Sequence, residues 1–200
     1  GVVEPEGNVN ALNLLDVTLN SVRAEAQNIL VELEETGNLL SFRIADDGCG
    51  MDEELLSSVC SPFTTTRTTR KVGLGLPLLQ MAAEATGGTL TLSSKDRKNH
   101  PEDHGTELIA VFHTDHIDCP PLGDFVGTVV LLLQRAPFTP RFVFTHRKNG
   151  RAWSLDTDDL HARLGKDIPL SHPEVLSFVS DYLKEQEVLL TDERPSDLSE

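Results

Sequence analysis

The chain has 200 residues, of which 38% are hydrophobic and 24% charged, and its formal net charge at pH 7 is −15. This composition is ordinary for a globular protein. The negative charge argues against a nucleic-acid partner, because phosphates would be repelled. No apolar run approaches the roughly 18 residues of a membrane-spanning helix, so we expect no membrane partner. The three cysteines are scattered, with no C-x-x-C pair for zinc or an iron–sulfur cluster, so we expect a cytoplasmic protein.

Hydrophobic periodicity predicts a helix and then a β-hairpin at the start of the chain. Apolar residues spaced three or four apart indicate an amphipathic helix over 9–26. Two apolar runs, 29–33 and 39–44, are separated by a turn at 36–38 and indicate a hairpin. The hairpin leads into the sequence Asp46-Asp47-Gly48-Cys49-Gly50-Met51.

The next elements are a short helix, a mobile loop rich in threonine, a second helix and two strands. We predict the short helix over 52–59, the loop over 61–73, the second helix over 76–85, and the two strands over 89–93 and 105–113. The helix over 76–85 tolerates Pro77 in its first turn and ends at Gly87-Gly88. This order of elements predicts an α+β fold in which helices cover one face of a mixed sheet.

A break at Cys119-Pro120-Pro121 separates this domain from the rest of the chain. We therefore predict one domain over 1–118 and a small α+β region over 119–200. The second region should hold a buried helix, a hairpin and two short helices. The buried helix is predicted over 125–133, the hairpin strands over 142–145 and 152–155, and the short helices over 157–164 and 173–187.

The first segment that suggests chemistry lies on the amino-terminal helix. Asp16, Asn20 and Arg23 share one helix face, which presents a carboxylate, an amide oxygen and a guanidinium together. The amide oxygen is a hard ligand suited to Mg²⁺, and the guanidinium is suited to phosphate. The alternative is an ordinary solvated helix face.

The second segment is the turn that follows the hairpin. The carboxylate of Asp47 could accept a hydrogen bond from an exocyclic amine, and Gly48 and Gly50 would let a flat ring approach the backbone. The alternative is a simple Asp-Gly turn. Two further segments are weak alone: the glycines of 71–77 precede a helix whose free N–H groups suit phosphate, and Gly105-Thr106 opens a strand.

In this order the four segments resemble the N, G1, G2 and final Gly-Thr boxes of the Bergerat ATPase superfamily, which includes histidine kinases, gyrase, Hsp90 and MutL. The resemblance covers about residues 8–114, and Ser61-Pro62-Phe63 lies where histidine kinases carry their Phe box. It implies a Bergerat ATP-binding α/β sandwich in 1–118, a histidine-kinase-like domain with ATP and Mg²⁺ as ligands.

The resemblance also implies residue roles. Asp47 would bind the adenine amino group, Asn20 would hold Mg²⁺, and Arg23 would contact phosphate. The other implied nucleotide contacts are Gly48, Gly50, Met51, Arg67, Lys71, Gly73, Leu74, Gly75, Leu76 and Thr106. Residues 61–72 would form a lid over the nucleotide.

Two positions depart from the superfamily pattern. Asp16 stands where gyrase-like ATPases place a glutamate general base, and it is one methylene shorter. Lys71 stands where histidine kinases carry a glycine. The lysine either adds a phosphate contact or marks a lid of different shape.

Three longer stretches are similar to a family of stand-alone histidine-kinase-like ATP-binding proteins of anaerobic bacteria, often associated with iron-only hydrogenase. They are residues 15–24, 62–79 and 115–124. The resemblance implies a protein partner, either hydrogenase-related or a response or regulatory protein. It extends over nearly the whole chain.

Three functions remain open from the sequence. The first is an Mg-ATP-binding regulatory or signalling module without a phosphoacceptor domain of its own, since about seven residues precede the first helix. The second is a protein kinase that acts in trans on a partner, as anti-sigma-factor kinases of this fold do. The third is a slow ATPase that uses Asp16 as its general base.

Overall fold

The computed structural model describes residues 9–59, 75–135 and 140–191, with side chains from residue 14 onward. Within these ranges the chain forms six helices and six strands. In chain order they are α1 (Val9–Arg23), β1 (Asn28–Thr36), β2 (Leu39–Asp46), α2 (Glu53–Val59), α3 (Gly75–Ala85), β3 (Thr89–Lys95), β4 (Gly105–His113), α4 (Phe125–Arg135), β5 (Arg141–Lys148), β6 (Arg151–Asp156), α5 (Thr157–Leu164) and α6 (Pro173–Thr191).

The predicted elements are confirmed, with shifts at their ends. The predictions for β4 and α5 coincide with the structure, and α6 runs four residues further, to Thr191 rather than 187. The first helix ends at Arg23 instead of residue 26, because Glu25 adopts a positive φ of 60° and turns the chain toward β1. The predicted lid at 61–72 lies outside the described residues.

The six strands form one mixed sheet in the order β3-β4-β2-β1-β5-β6. Neighbouring strands are antiparallel except β1 and β5, which are parallel. The sheet and its helices confirm the predicted α+β class and are consistent with the Bergerat fold. The carboxy-terminal hairpin β5–β6 continues the sheet beside β1, while the predicted boundary at residue 118 stays a prediction.

The hydrophobic core lies between one face of this sheet and the helices. Side chains alternate between the two faces of a strand, and the buried residues of β2 are Leu40, Phe42 and Ile44. Phe42 lies opposite Leu33 on β1 and Ala110 on β4. The even-numbered positions of β2 therefore face the helices, and the next one is Asp46.

The buried His146 on β5 connects α6 to the sheet through hydrogen bonds. The His146 ring lies 2.7 Å from Glu35 Oε2 through Nε2 and 2.7 Å from Glu187 Oε1 through Nδ1. Trp153 Nε1 also donates to Glu187 Oε1, at 2.9 Å. Burial alone would lower the pKa of His146, but the two carboxylates outweigh it and raise the pKa to about 9.

We expect this contact to make the stability of the protein fall as the pH rises. The folded pKa of His146, about 9, lies above its ordinary value of 6.5. Its contribution is therefore complete below about pH 6.5 and is lost as the pH rises toward 9, by about 1–3 kcal/mol. Urea denaturation at pH 6, 7, 8 and 9 measures this loss.

The variant His146→Gln should be less stable than the wild type at pH 6 and should lack most of this decline. His113→Gln on β4 is the matched control, because His113 is half-buried in the same sheet, and it should keep the wild-type slope. Parallel pH profiles for the wild type and His146→Gln would contradict the assignment.

Candidate functional site

A cleft of about 790 Å³ opens where α1, the turn after β2 and the starts of α3 and β4 meet. A cavity of this size is in the range of small-molecule sites. Most of its wall is apolar, and the polar groups are few. The lining residues are Val17, Asn20, Ser21, Arg23, Ala24, Ile44, Asp46, Cys49, Gly50, Met51, Leu55, Leu76, Leu92, Thr106 and Leu108.

The carboxylate in this cleft belongs to Asp46, the last residue of β2. Ser21 Oγ on α1 donates to Asp46 Oδ2 at 2.5 Å, and the backbone N–H of Gly48 donates to Oδ1 at 2.9 Å. The backbone N–H of Thr106 on β4 also donates to this carboxylate. Three elements therefore fix the orientation of one acidic group.

Burial raises the pKa of Asp46 above its ordinary value, because the charged form loses water. The hydrogen bonds from Ser21, Gly48 and Thr106 oppose this shift, while the nearby charge of Asp47 adds to it. A carboxylate that is partly removed from water and held by these hydrogen bonds is a good acceptor for a ligand N–H group in a largely apolar pocket.

The structure places the predicted residue Asp47 outside the cleft. Asp47 Oδ1 accepts hydrogen bonds from the backbone N–H groups of Gln27 and Asn28, at 2.8 and 2.9 Å, and Oδ2 accepts from Asn28 Nδ2 at 2.8 Å. Burial raises its pKa, but these donors outweigh burial and hold the pKa below its ordinary value. Asp47 thus organises the start of β1, and the aspartate that lines the cleft is its neighbour Asp46.

The turn 47–51 is shaped by close backbone contacts. Gly50 has a φ of +67°, and a Cβ there would lie 2.0 Å from the carbonyl oxygen of Lys95. Gly105 has a φ of +144°, and a Cβ there would lie 2.0 Å from the carbonyl oxygen of Asp46. Both positions therefore require glycine, so the turn packs against β3 and β4 without side chains between them.

Hydroxyl groups connect this turn to the sheet. The backbone N–H of Met51 donates to Ser94 Oγ at 2.8 Å, and Ser94 Oγ lies 2.7 Å from Thr106 Oγ1. On the other side of the turn, His104 Nδ1 lies 2.5 Å from the carbonyl oxygen of Gly48. These contacts hold Met51 and Thr106 at the cleft wall.

Asn20 and Arg23 line the cleft on α1, as the sequence predicts for residues that hold a ligand. Arg23 Nη1 donates to Asn20 Oδ1 at 3.1 Å. Among the residues that the structure describes, no group of three or more His, Cys, Asp or Glu could hold a metal ion. Asn20 Oδ1 fits Mg²⁺ in the coordination that is usual beside nucleotides, in which one protein oxygen is joined by phosphate oxygens and water.

Asp16, the predicted general base, is exposed and lies beside the start of α3 rather than in the cleft wall. A Cβ at Gly75, the first residue of α3, would come within 3.0 Å of Asp16 Cβ. Asp16 is therefore close to the amino-terminal end of that helix, the kind of position at which backbone N–H groups bind phosphate.

The predicted residues fall into three groups. The cleft brings together Asn20, Arg23, Gly50, Met51, Leu76 and Thr106. Gly48 and Gly75 are buried next to it, whereas Asp16 and Asp47 lie outside its wall. Arg67, Lys71, Gly73 and Leu74 lie in the segment 60–74, which is outside the described residues.

Sequence reasoning missed Asp46 and Ser21. Strand alternation would have found Asp46, because Leu40, Phe42 and Ile44 face the core and residue 46 is next in that series. A helix face defined by Val17 and Ala24 would have found Ser21, which lies between them at helical spacing. The face chosen from the sequence is more exposed than the face with Ser21: Asn20 and Arg23 line the cleft at its edge, and Asp16 lies outside it.

The arrangement can hold a flat heteroaromatic ring between apolar side chains and bind its amino group through Asp46. It offers an amide oxygen and a guanidinium at Asn20 and Arg23 to a charged group attached to that ring. A protein with a net charge of −15 repels a phosphate chain, so a bound cation would favour such a ligand.

Comparisons with known proteins agree with this geometry. The family model for histidine kinase-, DNA gyrase B-, and HSP90-like ATPases matches residues 11–116, more than half of the chain. The segment that builds the cleft lies within this match.

Curated relatives include three sensor histidine kinases. The chain is 31% identical over 87 residues to ZraS of Escherichia coli, 32% over 82 residues to TtrS of Salmonella typhimurium and 33% over 89 residues to DpiB of Escherichia coli. The matches cover 42%, 41% and 42% of this chain but only 18%, 14% and 16% of those proteins. The chain thus spans less than a fifth of the length of these relatives.

None of the helices within the described ranges has the length and apolar character needed to cross a membrane.

Proposed function

Because the chain belongs to the family of histidine kinase-, DNA gyrase B-, and HSP90-like ATPases, we propose that it is an Mg-ATP-binding regulatory or signalling module. The observation that carries this proposal is the carboxylate of Asp46, held by Ser21, Gly48 and Thr106 in a largely apolar cleft. The adenine amino group would donate to it, which replaces the role predicted for Asp47.

The phosphates would lie toward α1 and the start of α3. Arg23 would exchange its hydrogen bond with Asn20 for one with a phosphate oxygen, and Asn20 Oδ1 would then be free for Mg²⁺. When bound, Mg²⁺ would supply positive charge that lowers the repulsion between the phosphates and this acidic protein. The lid roles of Arg67 and Lys71 stay predictions.

Two alternatives remain as secondary proposals. The sensor histidine kinases among the relatives favour a kinase that acts in trans on a partner protein. The position of Asp16 beside the start of α3 favours a slow ATPase, since a carboxylate there could orient a water molecule near the terminal phosphate. A cytoplasmic location, a hydrogenase-related partner and the lack of a phosphoacceptor domain stay predictions.

Incubation of the purified chain with γ-labelled ATP and Mg²⁺ separates these functions. We expect saturable binding, with label neither released as phosphate nor transferred to the chain. Label that appears on a protein added from a native extract would favour the kinase, and steady phosphate release that Asp16→Asn abolishes would favour the ATPase. Failure of the wild type to bind Mg-ATP at all would contradict the proposal.

A further inference from the structure

Of the described groups that donate a hydrogen bond to the Asp46 carboxylate, the hydroxyl of Ser21 is the one that belongs to a side chain. Ser21 lies on α1 and is 5% exposed, and its hydroxyl donates to Asp46 Oδ2 at 2.5 Å. The donors at Gly48 and Thr106 are backbone N–H groups, which the fold itself fixes. A single substitution at residue 21 therefore removes one hydrogen bond to the carboxylate and leaves the net charge and the backbone donors in place.

We propose that Ser21 determines which purine the cleft accepts, because its hydroxyl donates to Asp46 Oδ2 and so favours the acceptor-only form of that carboxyl group. The inference rests on the ATP-binding function proposed above and adds the question of base selectivity. Ser21 is a positioning residue here, since it acts through Asp46.

The chemistry follows from the two forms of a carboxyl group. An ionised carboxylate only accepts hydrogen bonds, so at the 6-position it pairs with the amino group of adenine and repels the oxo group of hypoxanthine or guanine. It can pair with a 6-oxo purine only through the neighbouring N1–H, which requires the base to shift in the cleft. A neutral carboxyl group has an O–H that donates to a 6-oxo group. The protonation state of Asp46 therefore sets the preference between 6-amino and 6-oxo purines.

Burial and Ser21 act on the carboxyl group of Asp46 in opposite directions. Burial favours its neutral form, the charge of Asp47 adds to that preference, and the hydroxyl of Ser21 opposes it. In the part of the chain that the structure describes, the other titratable or charged groups around the site are Arg23 on α1, Cys49 in the turn, His104 against Gly48, and Glu107 on β4, which pairs with Arg43. The cleft residues of α2, α3 and β3, namely Leu55, Leu76 and Leu92, are apolar.

The test compares ATP with inosine triphosphate, which carries a 6-oxo group and an N1–H where ATP carries a 6-amino group and an N1 without a hydrogen. Dissociation constants for both, with Mg²⁺ held constant, are measured for the wild type and Ser21→Ala between pH 5 and pH 8. At each pH, the dissociation constant of a nucleotide for the variant is divided by its dissociation constant for the wild type. Changes in the protonation of the nucleotide itself then cancel from the ratio. Thr18→Val is the matched control, since it removes a buried α1 hydroxyl that donates to Leu14 instead.

For Ser21→Ala at pH 7 we expect the dissociation constant of ATP to rise by about 3- to 10-fold. We also expect the preference for ATP over inosine triphosphate to shrink, and to decline at a higher pH than in the wild type. Thr18→Val should keep the wild-type preference at every pH.

The inference is overturned if Ser21→Ala and the wild type show the same preference and the same pH profile. It is also overturned if Ser21→Ala weakens both nucleotides equally at all pH values, because that marks a purely structural role. Both outcomes differ from failure of the proposed function, in which the wild type itself does not bind ATP.

Discussion

Asp46→Asn is expected to weaken ATP binding by about 1.5–3 kcal/mol, or roughly 10- to 150-fold in Kd, the usual cost of losing a hydrogen bond to a charged group. The substitution keeps the shape of the side chain but removes the charge that Ser21, Gly48 and Thr106 surround. Isothermal titration calorimetry with Mg-ATP measures the loss directly.

Asp47→Asn provides the comparison, because the two aspartates are neighbours in sequence. Asp47 binds Gln27 and Asn28 at the start of β1, so its loss should lower the free energy of unfolding while ATP affinity stays within about twofold. Titrations are done well below the melting temperature of both variants. A larger loss of ATP affinity in Asp47→Asn than in Asp46→Asn would return the amino-group contact to Asp47.

Gly50→Ala is expected to reduce ATP affinity by more than about tenfold and to destabilise the fold by several kcal/mol. A Cβ at Gly50 would lie 2.0 Å from the carbonyl oxygen of Lys95, and the φ of +67° is unfavourable for alanine. The turn 47–51 would have to move away from β3, and Met51 would lose its hydrogen bond to Ser94. Binding titrations and thermal melts of the same sample measure both effects.

Gly37→Ala is the matched control for backbone strain. Gly37 has a similar φ of +59°, in the turn between β1 and β2, and nothing lies within 4 Å of the position of its Cβ. This variant should lose only about 1 kcal/mol of stability and should bind ATP like the wild type. If both glycine variants bind ATP normally, close packing of the turn is not needed for the site.

Much of the fold follows from local patterns in the sequence. Alternation in β1 and β2, the turn at Gly37 and the glycines at 87–88 mark elements that the structure confirms. The parallel pairing of β1 with β5 had no such local signal. More than 100 residues separate Ile29 from Phe142 opposite it, and only packing of the whole sheet brings them together.

The candidate site shows the same division between local and tertiary information. The four boxes locate the segments, and the alternation of buried residues along β2 is the local signal that puts Asp46 rather than Asp47 on the core face. The burial of Ser21 and of His146 depends on contacts between elements distant in sequence, namely α1 with β2 and β5 with α6. Residue types alone do not reveal such contacts.

The location of the bound nucleotide is the central claim, and NMR chemical-shift mapping tests it most directly. A ¹⁵N-labelled chain is titrated with a non-hydrolysable ATP analogue and Mg²⁺. We predict saturable shifts at the backbone amides of Ser21, Gly48, Met51 and Thr106, which surround the 790 Å³ cleft. Shifts confined to Arg141 and Val143, beside the smaller 230 Å³ cavity, or no saturable shifts at all, would contradict the account.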